Sequence, residues 1–311
     1  MQVYNNEHIN VSPCVLALGS FDTVHIGHQK LLEMAKKYAL EKGIAFGVYM
    51  FERRPAHILQ STLQHDTYSV TQREKIIERL GAEFVYYENF NKDFMRKSPE
   101  EFLRYLKDKL CARAVVAGFN YRFGCAASGD SDTLKRLCSE LEMDAFVVPA
   151  VCDADGIVSS TRIRSLLAVG DVQAANVLLG RVFALEGSVR KDRGVGHAMG
   201  VPTANLELDP VILLPKDGVY MTVAVVDGIE YPAVTNIGIR PTFGLDKRTV
   251  ETHLLDYDGD LYGKDIQLKF YSHLRDEQTF SSVDALMKQI SEDKKLARAM
   301  FSKINLEKIK I

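Results

Sequence analysis

Near residue 181 the hydrophobic pattern of this chain changes from one periodicity to another, and few folds accommodate both. Before that point, short apolar or β-branched runs alternate with helix-period segments, the pattern of a parallel sheet covered by helices. The runs Cys14 to Leu18, Ile44 to Phe51, Glu83 to Tyr87, Ala114 to Ala117 and Ala145 to Val148 are nearly continuously apolar, as strands buried on both faces should be. Leu31, Leu32, Ala35, Tyr38 and Ala39 recur at helical spacing, with Gly43 as the stop. Thr71-Gln72-Arg73-Glu74 and Ser98-Pro99-Glu100-Glu101 read as capping boxes opening two more helices. Beyond residue 181, Val182 to Val189, Gly218 to Val226, Tyr231 to Thr235, Val250 to Leu255 and Ile266 to Tyr271 are closely spaced between Gly, Asp and Pro turns, which predicts an antiparallel barrel. A final helix opens at Ser281-Ser282-Val283-Asp284, with Leu286, Ile290, Leu296 and Ala297 expected against the barrel. The expected division is 1–180, including a helical join over Ser165 to Gly180, and 181–311.

Composition sets bounds on function. In 311 residues, 46% apolar and 26% charged side chains leave ample material for two cores. A net charge of -2 supplies no bulk positive field, so nucleic acid is a poor partner. No run approaches the ~20 apolar residues of a membrane helix, and the start lacks the basic and apolar regions of a signal peptide. Cys14, Cys111, Cys125, Cys138 and Cys152 have no Cys-x-x-Cys spacing, which fits reduced thiols in cytosol rather than a zinc site or disulfide framework.

The strongest local motif is Leu18-Gly19-Ser20-Phe21-Asp22-Thr23-Val24-His25-Ile26-Gly27-His28, a strand passing through a glycine-containing turn into a helix. A helix N-terminus at the carboxyl edge of a parallel sheet offers unpaired N–H groups and a positive dipole end to phosphate. Gly19, Phe21 and Gly27 shape that approach, and His25 and His28 can donate to charge building on a phosphorus under attack. Two histidines at a bare helix start are often surface residues, and a metal site lacks a third ligand nearby. A second signal, Ser159-Ser160-Thr161-Arg162-Ile163-Arg164, places Ser160 and Thr161 hydroxyls and the Arg164 guanidinium where triphosphate oxygens can be held. Alone it equally describes an N-cap followed by solvated arginines.

In the second half, Arg193 to Asn205 is a glycine-rich flap ending in Pro202-Thr203-Ala204-Asn205, without the Walker A spacing. A phosphate cradle here would use backbone N–H groups around Gly200 with Thr203 and Asn205 as oxygen ligands, a set that suits magnesium beside ATP. Glu251 alternates with apolar Val250, Thr252 and Leu254 and so points to the opposite strand face, as a base for a phosphoryl acceptor or as an ordinary solvated carboxylate.

Together these motifs resemble the bacterial bifunctional riboflavin kinase/FAD synthetase family along essentially the whole chain. Gly118-Phe119-Asn120-Tyr121-Arg122-Phe123-Gly124 with Gly129-Asp130 is similar to that family's loop between nucleotide and flavin, and Phe51 with Pro55 to its flavin-side segment. Asn236 to Gly244, Glu251, Asp260-Leu261-Tyr262-Gly263 and Leu274-Arg275-Asp276-Glu277 through Phe280 follow in the family's order. The resemblance implies a Rossmann-like nucleotidyltransferase domain that adenylylates FMN to FAD, releasing pyrophosphate, and a barrel domain that phosphorylates riboflavin to FMN. It implies His25 and His28 in adenylylation, and Glu251 as kinase base with Thr203 and Asn205 at MgATP. Phe51, Asn120, Arg122, Arg275 and Glu277 fall near flavin. Departures are Thr23 where the family commonly has glycine, Arg53-Arg54 for Pro-His, and Asn120-Tyr121 for Asp-Phe; a β-branched Thr23 is costly if the turn needs positive φ there.

Rival readings are a cytidylyltransferase or tRNA synthetase, which also use His-x-Gly-His, a flavin-binding sensor without turnover, and a chain active in only one domain, with the adenylyltransferase the weaker half. The kinase-like barrel and the absence of a Lys-Met-Ser-Lys-Ser loop argue against the first. Intact Glu251, Thr203 and Asn205 argue against the second.

Overall fold

Strand Cys14–Leu18 (β2) is apolar at all five positions because it runs through the middle of a sheet with a hydrophobic core on each face. The computed structural model describes residues 1–5, 12–52, 65–190, 203–242 and 245–306. The chain forms two compact units, Met1–Ser160 and Thr161–Ile311.

In the first unit, Gln2–Asn5 (β1), β2, Ala45–Phe51 (β3), Phe84–Glu88 (β4), Ala112–Gly118 (β5) and Asp144–Val148 (β6) pair in parallel in the order β1-β4-β3-β2-β5-β6. Leu16 and Leu18 point into one core with Phe102, Leu106 and Leu134, while Val15 and Ala17 point into the other with Leu32, Ala35 and Ile77. Successive strands leave β2 first on one side and then on the other, so β2 and β5 flank a topological switch point. Ligand crevices of open α/β sheets lie at the carboxyl ends of such strands. β1 was not expected, because four half-polar edge residues carry no apolar pattern.

Helix Ile26–Lys42 (α1) stops where expected, at Gly43 with φ 62°. The cap of helix Val70–Arg79 (α2) is a correction: Ser69 and Gln72 form the capping box, two residues before the predicted Thr71 start. Lys92–Met95 (α3) is one turn, and Pro99–Lys109 (α4) opens on the expected Ser98–Glu101 box. Ser131–Glu140 (α5) is capped by Asp130. The hairpin of Cys152–Asp153 (β7) and Gly156–Ile157 (β8) leads to helix Ser160–Ala168 (α6).

Val172–Leu179 (α7) follows, started by Asp171 and stopped by Gly180 in the left-handed region. This join, expected with the first domain, packs within the second unit. Asn176 Nδ2 donates to the Phe270 carbonyl at 2.9 Å, its Oδ1 accepts from Phe183 N at 2.7 Å, and Lys216 N donates to Leu167 O at 2.9 Å. Two hydrogen bonds from one asparagine are invisible in a pattern of apolar spacing.

The barrel closes in the order β10-β13-β12-β11-β14-β9 from Ala184–Arg190 (β9), Ala204–Glu207 (β10), Gly218–Val226 (β11), Ile229–Thr242 (β12), Leu245–Leu254 (β13) and Asp265–Arg275 (β14), all antiparallel. β12, β13 and β14 outrun their apolar stretches, since a ladder continues wherever a partner backbone is present. Buried Thr222, Thr235 and Thr252 satisfy one another at 2.7 and 2.9 Å. Helix Val283–Leu306 (α8) starts at Ser282 as predicted. Its buried face is Ala297 with Met300, Phe301 and Ile304 against Met221, Val223 and Leu255. Leu296, expected there, is 49% exposed, because the stripe at 297, 300, 301 and 304 leaves 296 off the seam.

Candidate functional sites

The turn after β2 is strained and heavily tied. Phe21 (φ 46°) and Val24 (φ 43°) are left-handed, the second a β-branched residue for which that region is costly. The positive φ feared at Thr23 thus falls on its neighbours. Thr23 itself is buried, and its Oγ1 hydrogen-bonds Ser160 Oγ at 2.8 Å, joining the two phosphate-type motifs across 137 residues. The Asp22 carboxylate accepts from Thr67 N (2.9 Å) and Thr67 Oγ1 (3.2 Å), and Gln29 Nε2 donates to Val24 O at 2.9 Å.

His25 is the N-cap of α1. Its Nδ1 accepts from Gly27 N at 3.1 Å and His28 N at 3.2 Å, so the proton of the neutral ring sits on Nε2. His25 thus commits its Nδ1 to capping the helix. A Cβ on Gly27 would lie 3.0 Å from His25 Cε1, so a larger residue would press on the folded-back ring. His28 stacks on His25 with centroids 3.8 Å apart and tilts against Phe21 at 5.2 Å. Gly19 faces the Phe21 ring, which a Cβ would meet at 3.1 Å. Ser160 opens α6, on which Arg164 Nη2 lies 3.4 Å from Thr161 Oγ1.

The loop after β5 lies on the other side of the switch point. Asn120 sits in a turn closed by Tyr121 N to Gly118 O at 3.0 Å, and Arg122 pairs with Asp130 at 3.6 Å, both exposed. Hydrogen bonds from Thr133 hold the Asp130 carboxyl below its ordinary value. Phe51 ends β3 among Phe90 (5.2 Å) and Phe94 (5.4 Å). Next to it Tyr49 donates to Glu88 at 2.9 Å, and burial, then Glu88, pushes the Tyr49 hydroxyl well above its usual value. Arg53, Arg54 and Pro55 lie outside the described residues.

In the barrel a polar row crosses three strands. Glu251 on β13 is the register partner of Asn205 on β10 and of Asn236 on β12, while Val250 and Thr252 are buried on the opposite face. Asn236 Nδ2 donates to Glu277 Oε1 at 3.2 Å, and Thr249 Oγ1 lies 3.4 Å from Glu251 Oε1. Thr203 sits two residues before Asn205; Gly200 and the rest of the flap lie outside the described residues. Arg275 is engaged by Asp293 of α8, with Nη2 to Oδ2 at 2.9 Å and Nε to both carboxylate oxygens, and it lies over the Phe280 ring. Asn236, Asp293 and the Thr23–Ser160 tie escaped sequence reasoning. Asn236 was legible as a member of its motif, whereas the other two depend on contacts between distant segments.

The first unit is a doubly wound sheet with a strand–turn–helix motif at its switch point, where such sheets bind ligands, and the second is a closed barrel carrying a carboxylate between two asparagines. The FAD synthetase family model matches residues 7–162, and the riboflavin kinase model matches residues 179–301. The Bacillus subtilis protein named bifunctional riboflavin kinase/FMN adenylyltransferase is 36% identical over 298 residues, covering 93% of each chain. The Pseudomonas fluorescens protein of that name is 35% identical, covering 96% of this chain and 98% of its own. The chain belongs to the bifunctional riboflavin kinase/FMN adenylyltransferase family. A Streptococcus pneumoniae crystal structure titled as a macrolide-efflux protein has the same fold, with a TM-score of 0.89, 30% identity, and coverage of 96% of this chain and 99% of that one. Among the described residues no helix is long and apolar enough to cross a membrane.

Proposed function

We propose that the second unit transfers the γ-phosphoryl group of ATP to riboflavin, and that the first unit transfers the adenylyl group of a second ATP to the FMN so formed, yielding FAD and pyrophosphate. The observation that carries this is the one-to-one match of the two family models to the two compact units.

In the barrel, Glu251 takes the proton of the riboflavin 5′-hydroxyl as its oxygen attacks phosphorus. Asn205 and Thr203 would hold a magnesium ion through neutral oxygens, and bound there it would supply positive charge against the phosphates. Among the described residues no group of three His, Cys, Asp or Glu side chains is gathered for a metal, so substrate phosphates and water would complete the shell. Gly200 belongs to the proposed phosphate cradle. Glu277, bonded to Asn236, and Arg275, fixed by Asp293, border the flavin side.

In the first unit, an FMN phosphate oxygen attacks the α-phosphorus of ATP and the bond to pyrophosphate breaks. His25 Nε2 and His28 donate to the oxygens on which charge builds, with Gly19, Phe21 and Gly27 shaping their turn. Ser160, the last residue of this unit, would hold phosphate oxygens, and Phe51, Asn120 and Arg122 lie on the flavin side; Thr161 and Arg164, which follow it in the motif, are further candidates for phosphate contact. The proposal places the protein in the cytosol, where its five free thiols would stay reduced.

The test incubates the protein with riboflavin, ATP and magnesium and resolves the flavins by chromatography, expecting FMN and then FAD. Glu251→Gln should abolish FMN formation while leaving conversion of supplied FMN to FAD, and His28→Ala should do the reverse. Loss of both activities from either folded variant would overturn the two-site assignment. Tight flavin binding without any product would favour a sensor.

A further inference from the structure

Arg73 is among the largest fully buried side chains of the protein, 1% exposed, and it carries a full charge at any physiological pH. Buried charges are ordinarily paired, because an isolated one is costly to remove from water. Arg73 forms no ion pair with any carboxylate among the described residues. Its Nη2 donates to Glu52 O at 3.1 Å, its Nη1 lies 3.5 Å from Ser20 O, and its Nε has no hydrogen-bond partner. Both acceptors are backbone carbonyls, and both stand where the chain leaves the carboxyl edge of the sheet. Ser20 follows β2 in the turn leading to His25 and His28, and Glu52 follows β3 directly after Phe51.

The guanidinium therefore bridges two loop exits, with no carboxylate in ion-pair contact among the described residues. The same stretch of chain reinforces this tie, since Thr67, six residues before Arg73, holds the Asp22 carboxylate of the same turn. A charge held in a poorly solvated place acts on nearby anions more strongly than one on the surface. Glu74, next in sequence, accepts a hydrogen bond from the Tyr87 hydroxyl at 3.0 Å rather than pairing with Arg73.

We propose that Arg73 is a positioning residue for adenylylation, fixing the Ser20 and Glu52 loop exits through its fork while leaving its positive charge for the anionic substrates bound above them. The inference rests on placing adenylylation in the first unit. Charge and fork separate by substitution. Arg73→Lys keeps the charge and loses the planar fork, whereas Arg73→Met keeps much of the apolar stem and loses both.

The experiment uses the full chain and measures FMN-to-FAD and riboflavin-to-FMN conversion separately, each over a range of salt. Arg73→Met is expected to raise KM for FMN or MgATP in adenylylation tenfold or more and to flatten its dependence on ionic strength. Arg73→Lys is expected to hold KM within about twofold of the parent while kcat falls. Riboflavin phosphorylation should be unchanged in both. If Arg73→Met lowers the melting temperature but leaves KM and its salt dependence at parent values, the residue is structural and the proposal fails. If Arg73→Met does not fold, as read by loss of both activities, Arg73→Lys decides alone: parent kcat and KM would overturn the proposal, and a fall in kcat at parent KM would support it. If phosphorylation rather than adenylylation changes in a folded variant, the assignment of activities to units is what has failed.

Discussion

Thr23 Oγ1 and Ser160 Oγ meet at 2.8 Å inside the first unit, the one at the turn after β2, the other at the first position of α6. The residue that departs from the family's usual glycine is thus the one that locks the histidine turn to the serine-threonine helix start.

Removing that bond by Thr23→Val or Ser160→Ala should lower FAD formation from supplied FMN about fivefold, the equivalent of one neutral buried hydrogen bond of about 1 kcal/mol. The double variant should be no worse than the poorer single one, because the two changes delete the same interaction. FMN formation from riboflavin is the internal control.

His25 caps the helix with Nδ1, and the role proposed for it in adenylylation falls to Nε2, so the two should separate. His25→Asn retains an N-cap acceptor and should keep the parent's urea midpoint, while His25→Ala should lose about 1 kcal/mol of stability. Both should lose adenylylation by about 100-fold, since neither presents Nε2. Equal unfolding midpoints for the Asn and Ala variants would refute the capping role.

Asp293 is buried, and it holds Arg275 through three contacts while also accepting from Gln289 Nε2 at 3.0 Å. Asp293→Ala leaves a largely buried guanidinium unpaired and should cost about 2 kcal/mol, lower than for a fully buried pair because Arg275 keeps some solvent contact. Urea unfolding measures this, and a cost below about 0.5 kcal/mol would show that water replaces the carboxylate.

His273 should give stability a pH dependence. Burial depresses it below 6.5, Asp276 opposes that shift and Lys216 adds to it. The unfolded chain therefore binds the proton at a higher pH than the folded one. The folded state should lose stability as pH falls from about 6.5 through the lower folded value, and should be unaffected by His273 above that window. His273→Gln should flatten this part of a melting-temperature profile recorded against pH.

Fold class was legible because burial on both faces writes continuous apolar runs and burial on one face writes alternation, and both survive in a bare sequence. The strand cores from Cys14 to Leu18 and Gly218 to Val226 fell within the observed bounds, as did the caps at Ser98 and Gly43. The short β1 and β10 were not legible, because a four-residue strand takes its conformation from the partner ladder rather than from its own composition. On α8 the expected Ala297 is buried against the barrel while Leu296 is not, because a barrel surface as well as the helix pattern selects the buried face.

By itself the sequence determined the two textures, the positions of the motifs and the face on which Glu251 lies, since these follow from periodicities of 2 and 3.6 residues and from local capping. Only the tertiary structure decided which side chains became partners. The Thr23–Ser160 tie, the Arg275–Asp293 pair, the bridging of two loop exits by Arg73 and the alignment of Asn205, Glu251 and Asn236 across strands all join segments far apart in the chain. Such pairings are set by strand order and register, which local propensity does not encode.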